Sequence, residues 1–378
     1  MRMALRHPAP RCVLMTADTI GGVWTYVLEL ARGLTERGSR VVIATMGRTP
    51  TEAQMRAARA IDGVILECSA YALEWMPDDP WDDVAAAGDW LLRLERRYRP
   101  DLIHLNGYAH GRLPWSAPVV VAAHSDVLSW FDAVKGEAPP PLFDRYEAEV
   151  RAGLRAADLV VAPTQAYLAD VTRCFGAVGP SRAVLNGLGA TPSKALSAKA
   201  PVVLSAGRVW DEAKNIAVLE HAAAAGQWPL RIAGDATGPD DGEAAPLKAA
   251  HMLGRLEPDA MTREFSRAAI FCAPSVYEPF GLGVLEAARA GCALVVSDIP
   301  TFRELWDGAA LFVPPREPAA WAEACETLAH DTALRLRLAA AARGRARRYT
   351  AAAMTDATLA AYAAAAGLEP ARASMAAE

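Results

Sequence analysis

Cysteine is scarce and scattered in this chain. The six residues Cys12, Cys68, Cys174, Cys272, Cys292 and Cys325 contain no Cys-x-x-Cys pair. Four sit inside apolar runs, where a free thiol behaves as a small hydrophobe. That spacing excludes a disulfide framework and predicts a reducing, cytoplasmic setting. Long hydrophobic runs are also missing, and nothing approaches the roughly 20 apolar residues that span a bilayer. Met1 to Arg11 is short and basic, but a strand-like run follows it rather than the apolar core of a secretory leader. Excess positive charge is lacking too: Lys and Arg number 39 against 44 Asp and Glu, giving a net charge of −5 and a pI near 5.9. A nucleic-acid partner is therefore not expected. The Gly-x-Gly-x-x-Gly fingerprint is absent, which argues against a nicotinamide dehydrogenase.

What is present suits two α/β domains. The chain has 378 residues with 52% hydrophobic content and a mean hydropathy of +0.09, enough for two cores. Arg11 to Thr16 reads as a buried strand, Gly21-Gly22 opens a helix over Val23 to Glu36, Gly38 stops it, and Arg40 to Thr45 is the next strand. That is one βαβ unit. Short runs at Leu102–Leu105, Val119–Ala123 and Leu159–Ala162 are apolar throughout, as in strands covered on both faces. Leu188 to Ala200 is small, polar and Pro-containing, and reads as a linker. The pattern then restarts: strands at Val202–Ala206, Leu230–Ala233, Met252–Gly254, Ile270–Ala273, Ala293–Val296 and Leu311–Val313, with a helix around Ile216–Ala225. Pro318 to Ala366 reads as almost wholly helical. The expectation is two Rossmann-like, doubly wound domains, 1–192 and 193–378, with ligands held at the carboxyl ends of the strands.

Ser275-Val276-Tyr277-Glu278-Pro279-Phe280-Gly281-Leu282-Gly283-Val284-Leu285-Glu286 is the most informative segment. One carboxylate follows an apolar strand, a glycine-punctuated turn comes next, and a second carboxylate lies within the helix beyond. Glycines allow a ligand close to the backbone. The N–H groups and dipole at the helix start favour phosphate, and carboxylates accept bonds from sugar hydroxyls. A nucleotide sugar satisfies all three features. The bland reading is a capping acid at Glu278 and a solvent-facing acid at Glu286, but capping does not explain the Pro-Phe-Gly-Leu-Gly spacer. Upstream, Gly207-Arg208 ends a strand and Lys214 lies six residues later. Cations at strand ends can neutralise a diphosphate leaving group. Alone, they read equally well as surface charges.

With this spacing the chain resembles the retaining GT-B glycosyltransferases of family 4. The resemblance implies two Rossmann-like domains facing across a cleft. The first binds the acceptor, the second binds the nucleotide sugar, and a last helix near 350–366 crosses back to the first. It also implies that Arg208, Lys214, Glu278 and His124 are catalytic, with Glu278 and His124 positioning the donor sugar and Glu286 bonding the ribose. Donor contacts would come from Gly21, Gly22, Arg208, Lys214, Glu278, Phe280, Gly281, Leu282, Gly283, Val284, Leu285 and Glu286. The family usually has glycine after the lysine, where this chain has Asn215, so the turn geometry there is an open point. Trp24, Thr25, His104, Asn106, Tyr108, His110 and Trp130 are acceptor-site candidates. Asn106 departs from the family's Asp-Val-Val-His-x-His region, where a second histidine usually falls. Asp78-Asp79-Pro80-Trp81-Asp82-Asp83 and Asp240-Asp241 lack the Asp-x-Asp form of metal-dependent glycosyltransferases, so no metal and no other cofactor is expected.

The expected activity is transfer of a sugar from a nucleotide-diphosphate donor, UDP-sugar first, to an unidentified acceptor with retention. The competing readings are a sugar-nucleotide epimerase or phosphorylase on the same frame, or a noncatalytic sugar-nucleotide-binding subunit. Arg335 to Arg348 is a basic stretch that reads as a solvated helix face, with peripheral contact at the inner face of a membrane as the other reading.

Overall fold

The computed structural model describes residues 9–189, 198–238 and 247–368. Within them the chain forms two compact units. One takes residues 9–128, 139–189 and 351–368, and the other takes 129–138, 198–238 and 247–350. The cut expected between 192 and 193 lies outside the described residues, as does Asp240-Asp241.

The first unit is built on seven parallel strands: β1 (Cys12–Asp18), β2 (Arg40–Met46), β3 (Val64–Cys68), β4 (Leu102–Leu105), β5 (Val119–Ala122), β6 (Leu159–Ala162) and β7 (Ser181–Ala183). Their order is β3-β2-β1-β4-β5-β6-β7, with pairs such as Leu14↔Val42 and Met15↔His104 in register. The central strands are covered on both faces: Val13, Leu14, Val42, Ile103, Val120 and Val160 have no exposed surface. The edge strands β3 and β7 were not legible as apolar runs. β3 is only half-buried along most of its length, and β7 is Ser-Arg-Ala. The helix Gly22–Thr35 lays Val27, Leu30, Ala31 and Leu34 on the sheet, and Gly38 beyond it takes φ +90°.

The apolar tail resolves into three helices, Pro318–His330, Thr332–Ala346 and Ala351–Ala365. The last belongs to the first unit's core, where Met354, Leu359, Ala361 and Tyr362 join Val27 and Leu30. Its approach is close. A Cβ on Gly33 would lie 2.0 Å from Thr355 Oγ1, so a larger residue there cannot fit without separating the helices.

The second unit carries β8 (Ala200–Ala206), β9 (Leu230–Ala233), β10 (His251–Gly254), β11 (Ala268–Ala273), β12 (Ala293–Ser297) and β13 (Leu311–Val313). Their order is β10-β9-β8-β11-β12-β13. The helix expected over Ile216–Ala225 starts as a 3-10 turn, Ile216–Leu219, before the α-helix Glu220–Ala225. Trp321, Leu328, Ile270 and Val295 pack the core without exposure. Both sheets follow the Rossmann strand order, which reverses once, between β1 and β4 in the first unit and between β8 and β11 in the second. Doubly wound sheets bind ligands beyond the carboxyl ends of the strands at that reversal. No helix among the described residues is long and apolar enough to cross a membrane.

Candidate active site

In the second unit, the segments leaving β8 and β11 hold the predicted charged residues. After β8, Asp211 caps the 3-10 turn Glu212–Lys214 by accepting from the Ala213 amide at 3.0 Å. The turn ends on Asn215 at φ +51°, a left-handed conformation that favours glycine but that asparagine tolerates. The Asn215 amide then donates to the carbonyls of Pro274 at 3.0 Å and Pro315 at 2.6 Å. The Val276 amide donates to the Ala213 carbonyl at 2.9 Å. These bonds stitch the turn to the loops after β11 and β13, and they answer the open point at Asn215: the side chain replaces glycine's freedom with two fixed contacts.

Stitched in this way, Lys214 Nζ meets Glu278 Oε2 at 2.5 Å, with both side chains about one-fifth exposed. Thr301 Oγ1 donates to the Glu278 carbonyl at 2.7 Å. Arg208 donates through Nε and Nη2 to Asp211 Oδ2, at 3.2 and 2.6 Å, and its guanidinium lies 5.5 Å from the Trp210 ring centre. The arginine side chain stays 41% exposed, so it is braced yet accessible.

Gly281 starts the helix Leu282–Arg289 at φ +87°. A Cβ there would lie 2.9 Å from Phe302, so both conformation and space require glycine. The first-turn amides of this helix have no intrahelical acceptor and are suited to an anion. Glu286 remains accessible to solvent, while the surrounding protein pushes its carboxyl up to about 7 against the pull of Arg289.

In the first unit, the segments after β1, β4 and β5 bring together neutral groups. Asn106 donates through its backbone amide to Thr16 Oγ1 at 2.8 Å and through Nδ2 to the Thr16 carbonyl at 2.6 Å. Its Oδ1 therefore faces His124 Nε2 at 2.7 Å. This network assigns the proton of neutral His124 to Nε2 and leaves Nδ1 as an acceptor. Burial holds His124 down at about 4, so it is uncharged at neutral pH. Tyr26 packs edge-on against it with ring centres 4.6 Å apart. Gly21 and Gly22 are exposed after β1, with Gly21 at φ +72°.

Not every expected acceptor residue reaches such a position. His104 has no exposed surface and is held between Tyr26 Oη at 3.3 Å and Tyr362 Oη at 2.9 Å. Tyr108 donates to the Ser125 carbonyl at 2.8 Å, and buried His110 is bonded to the Val84 carbonyl at 2.9 Å. Trp24 lies in the core. These four are corrections, because the polar atoms of His104, Tyr108 and His110 are used inside the fold and Trp24 is packed in the core. Trp130 groups with the second unit, its ring beside Phe131 and 5.9 Å from the Lys135 ammonium. Thr25 is exposed and Asn106 half-buried.

The acids of Asp78–Asp83 lead into the helix Trp81–Tyr98, with Asp83 accepting from the Ala72 amide at 2.9 Å. Among the described residues, no group of three or more His, Cys, Asp or Glu is placed to hold a metal ion. An open recess of about 630 Å³, lined by residues such as Glu95, Arg99, Asp101 and Pro118, lies at the amino ends of β4 and β5, away from these segments.

Two family models match, and between them they cover most of the chain: Glycosyltransferase Family 4 over residues 20–189 and Glycosyl transferases group 1 over residues 200–331. The chain belongs to glycosyltransferase family 4. A D-inositol 3-phosphate glycosyltransferase of Kineococcus radiotolerans is 28% identical to it over 94% of this chain and 93% of that protein. A phosphatidyl-myo-inositol mannosyltransferase of Mycobacterium leprae is 36% identical over 26% of this chain and 27% of its own length. Among solved structures, sucrose-phosphate synthase from Thermosynechococcus elongatus matches with a TM-score of 0.76 at 19% identity, covering 93% of this chain and 98% of that one. Anabaena Alr3699/HepE in complex with UDP and glucose matches at 0.72 and 17%, with 93% and 98% covered. The fold of this glycosyltransferase is thus GT-B, two Rossmann-like domains.

The bracing residues Asp211, Thr301 and Thr16 were not anticipated. Asp211 carried a weak signal, an acid three residues after Arg208. Thr301 and Thr16 carried none, because their contacts are made across the fold.

Proposed function

We propose that this glycosyltransferase moves a sugar from a nucleotide-diphosphate sugar, UDP-sugar first, to a hydroxyl acceptor, and that the anomeric configuration is retained. The observation that carries the reading is the pairing of Lys214 with Glu278 beside braced Arg208, at the β8/β11 reversal. Lys214 and Arg208 would neutralise the diphosphate as negative charge develops on it. Glu278 would accept from hydroxyls of the donor sugar, and Glu286 from the ribose. The amides and side chains from Phe280 to Leu285, with Gly21 and Gly22, would meet sugar and phosphate oxygens. His124 would accept a sugar hydroxyl at Nδ1. Cationic side chains and a helix start supply the charge compensation, so the reaction as read needs no metal. Retention follows the family resemblance.

The second unit would take the donor and the first the acceptor, in a soluble cytoplasmic protein. The names of the inositol-phosphate relatives make a phosphorylated polyol the first acceptor to try. The test is incubation with UDP-, GDP- and ADP-sugars, with and without D-inositol 3-phosphate and a panel of other polyols. Acceptor-dependent release of a nucleoside diphosphate supports transfer. Conversion of the donor without acceptor would replace it with the epimerase reading, and no turnover of any donor would sink both.

A further inference from the structure

From Thr332 to Arg348 the chain carries six arginines and no acid, a local reversal of sign in a protein of net charge −5. The helix Thr332–Ala346 buries Leu338, Ala342 and Ala346 against the second unit. Two arginines are tied to the fold. Arg335 donates to the carbonyls of Leu328 and Ala329, and Arg345 to those of Leu305 and Asp307. The other four, Arg337, Arg343, Arg347 and Arg348, make no side-chain hydrogen bond or ion pair among the described residues. Their charge is uncompensated.

The outer face of this helix is ordered rather than merely solvated. Leu336, Ala340 and Gly344 are spaced four residues apart and form one exposed row at 3.6 residues per turn. Leu336 is 62% exposed, and the space outside Gly344 is open. Arg343 and Arg347 flank the row on one side and Arg337 on the other, with Arg348 just beyond the helix end. A cluster of unpaired arginines around one exposed leucine suits an anionic surface that can also admit an apolar side chain. A polyphosphate backbone would have no use for the exposed leucine, and the acidic remainder of the chain offers it no second contact.

From this charge complementarity we infer that the outer face of Thr332–Ala346 is a docking surface for an anionic lipid bilayer. The inference is independent of the sugar chemistry. Its test is sedimentation of the full chain with vesicles of phosphatidylcholine alone or with one-third phosphatidylglycerol, at low and high salt. The expected result is partition onto the anionic vesicles only, weakened by salt and lowered at least tenfold by the double substitution Arg337→Glu, Arg347→Glu. The control Arg59→Glu, an exposed arginine on the helix Glu52–Arg59, leaves binding unchanged. All substituted residues are exposed, and equal melting points check the folds. Failure to bind anionic vesicles, equal binding to neutral ones, or undiminished binding of the double variant overturns the inference. Retention on a polynucleotide in place of vesicles would assign the patch to nucleic acid instead.

Discussion

The same strand order underlies both units, yet their reversals carry opposite chemistry. At β1/β4 most of the bonded side chains are uncharged: Thr16, Asn106 and His124 form one chain of bonds, and Tyr26, His104 and Tyr362 another, while the acids Asp18 and Glu74 accept from backbone amides of the same segments. Burial holds His104 at about 3 and His124 at about 4 and raises the Tyr26 and Tyr362 hydroxyls. At β8/β11 the groups are ionic: Lys214 with Glu278 and Arg208 with Asp211. A neutral, preorganised face suits hydroxyls, whereas cations beside a helix start suit phosphate. The Rossmann frame supplies the location, and the side chains at the strand ends decide what is held there.

The largest effect expected from breaking this contrast is in the charged unit. Lys214→Ala should lower sugar transfer about 10²-fold or more if the ammonium supports the leaving diphosphate, and near-normal turnover in a steady-state assay would refute that role. In the neutral unit, His124→Ala should lower transfer about tenfold. Because its imidazole is uncharged above about 4, the wild-type rate should show no inflection near the usual histidine value. An inflection there that vanishes in the variant would contradict the neutral assignment.

Glu286 gives a smaller, pH-dependent test. Its carboxyl stays protonated up to about 7, so the donor KM should fall a few-fold as pH rises through that value, and Glu286→Gln should flatten the profile. The raised carboxyl also makes the folded chain bind more protons than the unfolded one between the ordinary carboxylate value and about 7. Stability should therefore decline as pH rises across that window, less so in Glu286→Gln. A melting profile unchanged by the substitution would show that the fold does not perturb this carboxyl. A separate test of stability is Asn215→Ala, which forces alanine into φ +51° and removes two carbonyl contacts. It should cost about 1–3 kcal/mol, read by thermal melting, while Asn215→Gly should lose less because the conformation is free to it.

How far these features could be read beforehand depended on how local their cause was. β4, β6 and β9 matched their apolar runs because strands buried on both faces leave a continuous signal, and the edge strand β13 was read from its apolar Leu-Phe-Val alone. β3 and β7 left little, since edge strands face solvent on one side. The grouping of 129–138 with the second unit, and of the last helix with the first, arises from packing between segments remote in sequence. Arg208, Lys214, Glu278 and Glu286 could be named from their order and spacing together with the family resemblance, and the fold pairs Lys214 with Glu278 and Arg208 with Asp211. His104, Tyr108 and His110 looked like site residues for the same reason that polar residues usually do. Only the fold reveals that His104 is bonded to Tyr362, 258 positions away, and that its polarity is spent inside.

The claim that the second unit grips a nucleoside diphosphate through Arg208 and Lys214 is tested most directly by calorimetric titration of UDP, GDP and ADP. One of the three should bind the wild-type chain, and Arg208→Ala and Lys214→Ala should each weaken that nucleotide at least tenfold. Equal binding by wild type and both variants, or no binding of any of the three, would contradict the account.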